Sequence, residues 1–128
     1  MKNFKDLKIW QKGFQIATNS FRIIETFPTH EKYGLALQIT KSGISIPSNI
    51  AEGSRSSDKD YKRFIEISLG SAFELETQLL VAREIKYGNL SLIQITLELL
   101  AEEEKMLSAF SKSLLKNNFA GQEPKANS

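Results

Sequence analysis

Apolar residues recur at alternating intervals of three and four along most of this sequence, which is the spacing of an amphipathic helix and not of a strand. The clearest run lies between Leu7 and Phe27, where Asp6 is a predicted N-cap and Pro28 is predicted to end the helix. An unbroken heptad seam predicts a helix that packs against other helices. The seam consists of Leu7, Trp10, Phe14, Ala17, Phe21 and Ile24.

A second apolar stripe lies beside this seam on the same predicted helix. Ile9, Ile16 and Ile23 are seven residues apart, and they lie roughly 100° around the helix from the edge of the seam that Trp10 marks. Two apolar faces on one helix indicate two packing partners. We predict that Ile9, Ile16 and Ile23 form a face that contacts another subunit.

The rest of the chain has the pattern of three further helices joined by short connections. They are predicted over residues 29–55, 57–87 and 91–118. Their predicted N-caps are Thr29, Ser57 and Ser91, the last in a capping box with Gln94. Short connections make consecutive helices antiparallel, so the sequence predicts an all-α, up-down-up-down four-helix bundle. We predict a single bundle domain over residues 1–118 and a polar, flexible tail over residues 119–128.

Pro47 lies inside the second predicted helix. A proline in a helix interior removes one hydrogen bond, and its ring is pushed against the carbonyl of the residue four positions earlier. That residue is Gly43, whose backbone has more freedom to bend away. We therefore predict one helix that is kinked near Pro47. The alternative is a helix that breaks near Gly43 and restarts with Ser45 as its cap.

Composition gives little support for catalysis, metal binding or a membrane. The chain has no cysteine and a single histidine, His30, in a predicted first helical turn. No set of side chains has metal-ligand spacing, and no glycine-rich nucleotide loop is present. The N-terminal stretch is charged throughout, unlike a signal peptide. We predict a cytoplasmic protein that is not an enzyme and needs no cofactor.

Charge is distributed unevenly along the chain although the net charge is only +2. Residues 1–63 contain eleven Lys or Arg and six Asp or Glu, whereas residues 64–128 contain six Lys or Arg and nine Asp or Glu. Basic clusters can neutralise phosphates, but ordinary solvated helix faces give the same pattern. The candidate nucleic-acid contacts are Lys2, Lys5, Lys8, Lys12, Lys41, Arg55, Lys59, Lys62 and Arg63.

A polar stripe runs beside the apolar one on the second predicted helix. It consists of Gln38, Ser42, Ser45, Asn49, Glu52 and Ser56. The stripe is either a solvated face or a polar network between helices. On the third helix, Glu76 lies beside the apolar edge, and a carboxylate there needs a partner if it loses water. The candidate partners are Lys41, Arg55 and Arg63.

Five stretches of the chain resemble the 23S ribosomal RNA intervening-sequence protein family, a bacterial family of four-helix bundles. They are FKDLKIWQKGFQIA (4–17), FPTHEKYGLALQI (27–39), SIPSNIAEGSR (45–55), DYKRFIEISLGSAFELETQLLVA (60–82) and YGNL (87–90). The family signature positions in this chain are Pro47, Asn49, Glu52, Gly53, Gly70, Glu74 and Glu76. The resemblance implies a homopentameric ring, with RNA as the usual suggested ligand.

Two function hypotheses follow. The first is a homo-oligomeric bundle that binds RNA or another nucleic acid through its basic surface. Many relatives have two arginines where this chain reads Thr40-Lys41-Ser42-Gly43, and lysine cannot make the bidentate contact to phosphate that arginine makes. The second is a protein-interaction scaffold, similar to the accessory subunit that binds the reverse transcriptase of diversity-generating retroelements.

Overall fold

The computed structural model describes the backbone of residues 3–31 and 33–127 and the side chains of residues 3–31 and 33–114. Four helices follow one another: α1 (Lys8–Ile24), α2 (Leu35–Gly53), α3 (Asp58–Glu84) and α4 (Leu90–Asn127). Two short 3-10 turns, Phe4–Asp6 and Thr29–Glu31, precede α1 and α2. The described backbone contains no strand. The predicted all-α four-helix bundle is therefore confirmed, while the predicted flexible tail after residue 118 stays a prediction.

Side-chain caps begin two of the helices. The Ser57 hydroxyl accepts the Asp60 N–H at the start of α3, as predicted. At the start of α4 the cap is Asn89, whose Oδ1 accepts the Leu92 N–H at 2.9 Å, rather than the predicted Ser91. Asp6 does not cap α1, because it lies in the preceding 3-10 turn. Thr29 likewise lies in a 3-10 turn, and α2 begins six residues later.

Helix α2 continues without a break through Pro47, so the alternative of a helix that restarts at Ser45 is wrong. Gly43 has a further role beside the one predicted from the proline. A methyl group at Gly43 would lie 2.6 Å from Ser20 Oγ and 2.9 Å from Ser20 Cβ, and Ala17 follows at 3.7 Å. The absence of a side chain at Gly43 therefore lets α1 cross α2 closely.

The isoleucine stripe of α1 lies inside the bundle, which corrects the prediction that Ile9, Ile16 and Ile23 contact another subunit. Ile16 and Ile23 have no solvent exposure and Ile9 has 7%. The reason is steric, because the small residues Gly13 and Ser20 on the same face allow α2 and α4 to approach. The predicted seam is only partly buried: Phe14 and Phe21 are 50% and 47% exposed, whereas Ala17 is buried and Leu7, Trp10 and Ile24 pack partly against the core.

The core is aliphatic and continuous across all four helices. Its fully buried large side chains are Ile16, Ile23, Ile39, Ile46, Ile50, Ile65, Leu75, Leu79, Ile93, Leu100 and Leu107. Each helix packs against its neighbours along the chain, and α1 also packs against α4. This closes the bundle into a square. No helix in the described part of the chain has the length and apolar character needed to cross a membrane.

Candidate nucleic-acid and assembly surfaces

Basic residues concentrate at one end of the bundle. The antiparallel arrangement brings together the start of α1, the end of α2 and the start of α3, and Tyr61 of α3 contacts Phe110 of α4 there with ring centroids 5.1 Å apart. Residues 3–12, 50–68 and 105–114 lie toward this end and contain nine Lys or Arg and five Asp or Glu. The other end, over residues 14–31, 33–49 and 69–101, contains four Lys or Arg and six Asp or Glu. Between the two ends lie three further acidic residues, Glu102, Glu103 and Glu104.

Seven of the nine predicted nucleic-acid contacts lie at this basic end. They are Lys5, Lys8, Lys12, Arg55, Lys59, Lys62 and Arg63. Lys41 lies in the other half of the molecule, on the outer surface of α2, and Lys2 is outside the described residues. The basic surface therefore joins residues that are far apart in the chain, and it is separate from Lys41.

Most cations of the basic end have no acidic partner within the described residues. The ion pairs there are Lys12 with Glu102 and Lys62 with Glu66, while the Arg63 guanidinium lies 4.7 Å from the centre of the Phe64 ring. The hydrogen bond from Lys12 lowers the pKa of the Glu102 carboxyl. Cations without partners can contact phosphates without first breaking an ion pair.

The polar stripe of α2 divides into a hydrogen-bonded part and an exposed part. Asn49 Nδ2 donates to the Ser45 carbonyl at 2.8 Å and to Ser45 Oγ at 2.9 Å, and Ser45 Oγ shares a 2.7 Å hydrogen bond with Ser71 Oγ of α3. Ser68 Oγ donates to the Ile46 carbonyl at 2.9 Å. Glu52 and Gln38 are exposed. Asn49 therefore helps to join α2 to α3.

The signature glycines differ in what surrounds them. A methyl group at Gly53 would lie 2.8 Å from both Phe64 Cβ and Tyr61 Cδ1, so the turn between α2 and α3 requires glycine. A methyl group at Gly70 would meet no atom within 4 Å. No other helix of the same subunit therefore comes close to Gly70. Glu74, one turn later, is also exposed.

Acidic residues of α4 point in three directions at mid-height in the bundle. Glu102 is exposed, Glu103 is fully buried, and Glu104 is half-buried beside Glu76 of α3. Burial raises the pKa of Glu104 to about 8, with a further contribution from the hydrogen bond and charge of Glu76. Glu76 is thus next to a second carboxyl and not next to the predicted cations. No cluster of side chains suited to a metal ion occurs among the described residues.

An apolar groove opens between α1 and α2 on the outer surface. Its cavity of about 300 Å³ is lined by Trp10, Phe14, Ala17, Thr18, Phe21, Ile44, Pro47, Ser48 and Ala51. Trp10 stacks on Phe14 with ring centroids 5.1 Å apart, and Ile44 is half exposed. We call this the α1–α2 groove.

A second exposed apolar surface covers the outer side of α3. Ile67, Phe73, Leu80 and Val81 are each 40% to 51% exposed. Ile67 and Phe73 lie one turn on either side of Gly70, and Leu80 and Val81 lie about three turns farther along α3. We call this the α3 face. Large apolar side chains that are exposed together are typical of interaction sites.

Comparison with known proteins identifies the family. The sequence model of the 23S rRNA-intervening sequence protein family matches residues 5–109. A crystal structure of a protein of unknown function from the S23 ribosomal protein family of Bacteroides thetaiotaomicron is similar in fold, with a TM-score of 0.74 at 24% identity. The match covers 81% of this chain and 98% of that one. No curated protein matches the chain. Because the family match spans most of the sequence, the chain belongs to the 23S rRNA-intervening sequence protein family.

Proposed function

We propose that this protein binds nucleic acid as a closed ring of identical subunits and performs no catalysis. In the ring, the α3 face of one subunit packs into the α1–α2 groove of the next. The observation that supports this most directly is that one chain exposes two different apolar surfaces. Different surfaces that fit each other form heterologous contacts, and such contacts close into rings when the rotation permits. The family resemblance supports five subunits.

The two surfaces lie at the same height along the bundle. The hydrogen bond between Ser45 and Ser71 places Gly70 level with the part of α2 that contains Ile44 and Pro47. Rotation about an axis parallel to the bundle preserves height, so Gly70 of one subunit comes opposite the groove of its neighbour. A glycine inside an exposed helix costs about 1 kcal/mol relative to alanine. Close approach of a second copy would explain why glycine is present, because a side chain at residue 70 would hinder that approach.

Charge at the edges of the two surfaces also favours this pairing. Lys41 lies one turn before Ile44 at the edge of the groove, and Glu74 lies one turn after Gly70 on α3. Both are exposed. The register set by Ser45 and Ser71 puts Lys41 and Glu74 at similar heights, so they can form an ion pair between subunits. This gives Lys41 a role in assembly instead of RNA binding.

Nucleic-acid binding follows from the position of the basic end. In a ring whose axis runs along the bundles, every basic end lies on the same side, and several weak contacts then act together. The family name refers to 23S rRNA, and the similar structure carries a ribosomal protein family name. We therefore propose structured RNA as the ligand.

Assembly is tested by molar mass from light scattering. Phe14→Ser in the groove and Phe73→Ser on the α3 face should each reduce the oligomer to a monomer. Ile95→Ser on α4 removes an equally exposed apolar side chain outside both surfaces and should leave the mass unchanged. Lys41→Glu and Glu74→Lys should each weaken assembly, and the double variant should restore it. A monomeric wild-type protein at high concentration would refute the ring.

RNA binding is tested by titrating a 23S rRNA fragment across a salt series. Arg55→Gln at the basic end should weaken binding. It should also reduce the slope of log K against log salt concentration by about 1, the value expected for one lost phosphate contact. Arg22→Gln, an exposed arginine at the opposite end, should change neither quantity. Absence of binding at low salt, or equal effects of the two substitutions, would contradict the proposal.

A protein-interaction scaffold is the second candidate, and the exposed aromatic residues of the α1–α2 groove favour it. In that case the groove holds a different protein. The chain would then stay monomeric alone, and Phe14→Ser would abolish capture of one partner without changing the mass of the isolated protein.

A further inference from the structure

Glu103 is the only buried residue of the described bundle whose side chain can carry a charge. Its side chain has no solvent exposure, and neither Oε1 nor Oε2 has a hydrogen-bond partner. The carboxyl lies between α4, α1 and α2: a methyl group at Gly13 would be 3.0 Å from Glu103 Oε2 and 3.1 Å from the Ile46 side chain. Burying an ionised carboxylate without a partner costs several kcal/mol, so this position favours the protonated acid.

No nearby charged group neutralises Glu103. On α1, Lys12 attracts the carboxylate from a distance, but its Nζ is bound to Glu102. The α2 side chains at this level, Ile46 and Pro47, carry no charge. On α3, the acidic residue at the height of the α4 glutamates is Glu76, and it lies beside Glu104. Burial outweighs the attraction of Lys12 and raises the pKa of Glu103 to about 8.

An open groove runs along the outer side of the α1–α4 contact, one helical turn from Glu103. A cavity of about 430 Å³ opens between the two helices, lined by Leu7, Lys8, Ile9, Met106, Ala109, Phe110 and Ser113. Met106 follows Glu103 by one helical turn.

We propose that Glu103 is a protonation switch, which lets α4 pack fully against α1 when it is neutral and opens this level of the α1–α4 seam when it ionises. The direction of the pH dependence follows from the number of protons that the closed and open states bind. Below about pH 4.5 the carboxyl is protonated in the closed and open states alike. Between about pH 4.5 and pH 8 the closed state holds one more proton, so each pH unit raises the opening constant about tenfold. Above that range the effect is constant.

The test uses cysteine alkylation, since the natural chain has no cysteine. Leu107→Cys reports on the seam, one turn after Glu103, and Ala82→Cys reports on the distant end of α3; both residues are fully buried. Each is placed in the natural background and in Glu103→Gln, and the two backgrounds are compared at the same pH, which cancels the ionisation of the thiol itself.

At Leu107→Cys, the rate in the natural background divided by the rate in Glu103→Gln should rise at least tenfold between pH 6 and pH 8. At Ala82→Cys the ratio should stay constant. Glu103→Leu serves as a second background that avoids a buried amide, and it should give the same result. A constant ratio at Leu107→Cys in both backgrounds would overturn the switch, and an equal rise at both cysteines would show global unfolding instead of local opening.

Discussion

Gly43→Ala is a direct test of how closely α1 crosses α2. The added methyl group would lie 2.6 Å from Ser20 Oγ and 2.9 Å from Ser20 Cβ, whereas ordinary contacts begin at 3.4 Å. The hydroxyl can rotate away, but Ser20 Cβ is fixed to the backbone of α1. The two helices must therefore separate by several tenths of an ångström at this point, and a close-packed interior resists such movement.

The expected loss follows from two opposing contributions. Overpacking a core costs about 1–3 kcal/mol, and alanine is favoured over glycine in a helix by about 1 kcal/mol. Because the fixed Cβ contact puts the repulsion toward the upper part of its range, we expect Gly43→Ala to lower the free energy of unfolding by about 1–2 kcal/mol. Ser20→Gly removes the clashing atoms and should restore most of that loss in the double variant.

Gly70→Ala is the matched control. It is the same substitution inside another helix, but the methyl group meets no atom within 4 Å, so helix propensity alone acts and stability should rise by about 1 kcal/mol. Urea denaturation of both variants in the Phe14→Ser background, in which the proposed ring cannot form, gives the comparison. Equal changes at the two glycines, or a stabilising Gly43→Ala, would refute the close crossing.

Three further predictions concern the core, the polar network and a cap. Ile16→Ala should lower the free energy of unfolding by about 2–5 kcal/mol. Phe14→Ala in a monomeric background should lower it by only about 1 kcal/mol, since half of that ring is already exposed. The reverse order in urea denaturation would show that the predicted seam is the core after all. Asn49→Ala removes two hydrogen bonds to Ser45 and should cost about 1–2 kcal/mol, measured in the same way. Ser57→Ala should cost about 1 kcal/mol through loss of the α3 cap, and thermal unfolding that matches the natural chain would contradict that assignment.

Sequence patterns were sufficient for the number and order of helices. Apolar spacing, prolines and glycines mark four segments, and short connections leave little choice but an antiparallel bundle. Helix ends were less accurate: α2 starts at Leu35 instead of Thr29, because Thr29–Glu31 form a separate 3-10 turn. Local capping patterns cannot distinguish one helical turn from the start of a long helix.

The choice of face on α1 could not be made from apolar spacing. Both stripes of α1 have helical period, so periodicity shows that the helix is amphipathic without showing which stripe meets the core. The useful signal was the position of small residues. Gly13, Ala17 and Ser20 mark where neighbouring helices approach, and Ile16 lies among them. Bulky aromatic residues at 14 and 21 do not fit such a close crossing.

The environments of individual polar residues required the fold itself. Three consecutive glutamates must point in different directions on a helix, but only the packing of α4 shows that Glu103 is the buried one. The partner of Glu76 was expected to be a cation, since attraction is the usual reason for two charges to meet. The structure has Glu104 there instead, and burial raises the pKa of Glu104 to about 8, which favours its neutral form beside Glu76.

The family signature positions divide according to whether one subunit accounts for them. Asn49 holds the Ser45 hydroxyl that bonds Ser71 of α3, and Gly53 allows the turn that follows. No contact within the subunit accounts for Gly70, which together with exposed Glu74 lies on the α3 face, opposite the core. A helix stabilised only by its own subunit would gain from alanine at residue 70. Close approach of another molecule to the backbone would account for a glycine on this face, and in the proposed ring the neighbouring subunit would be that molecule.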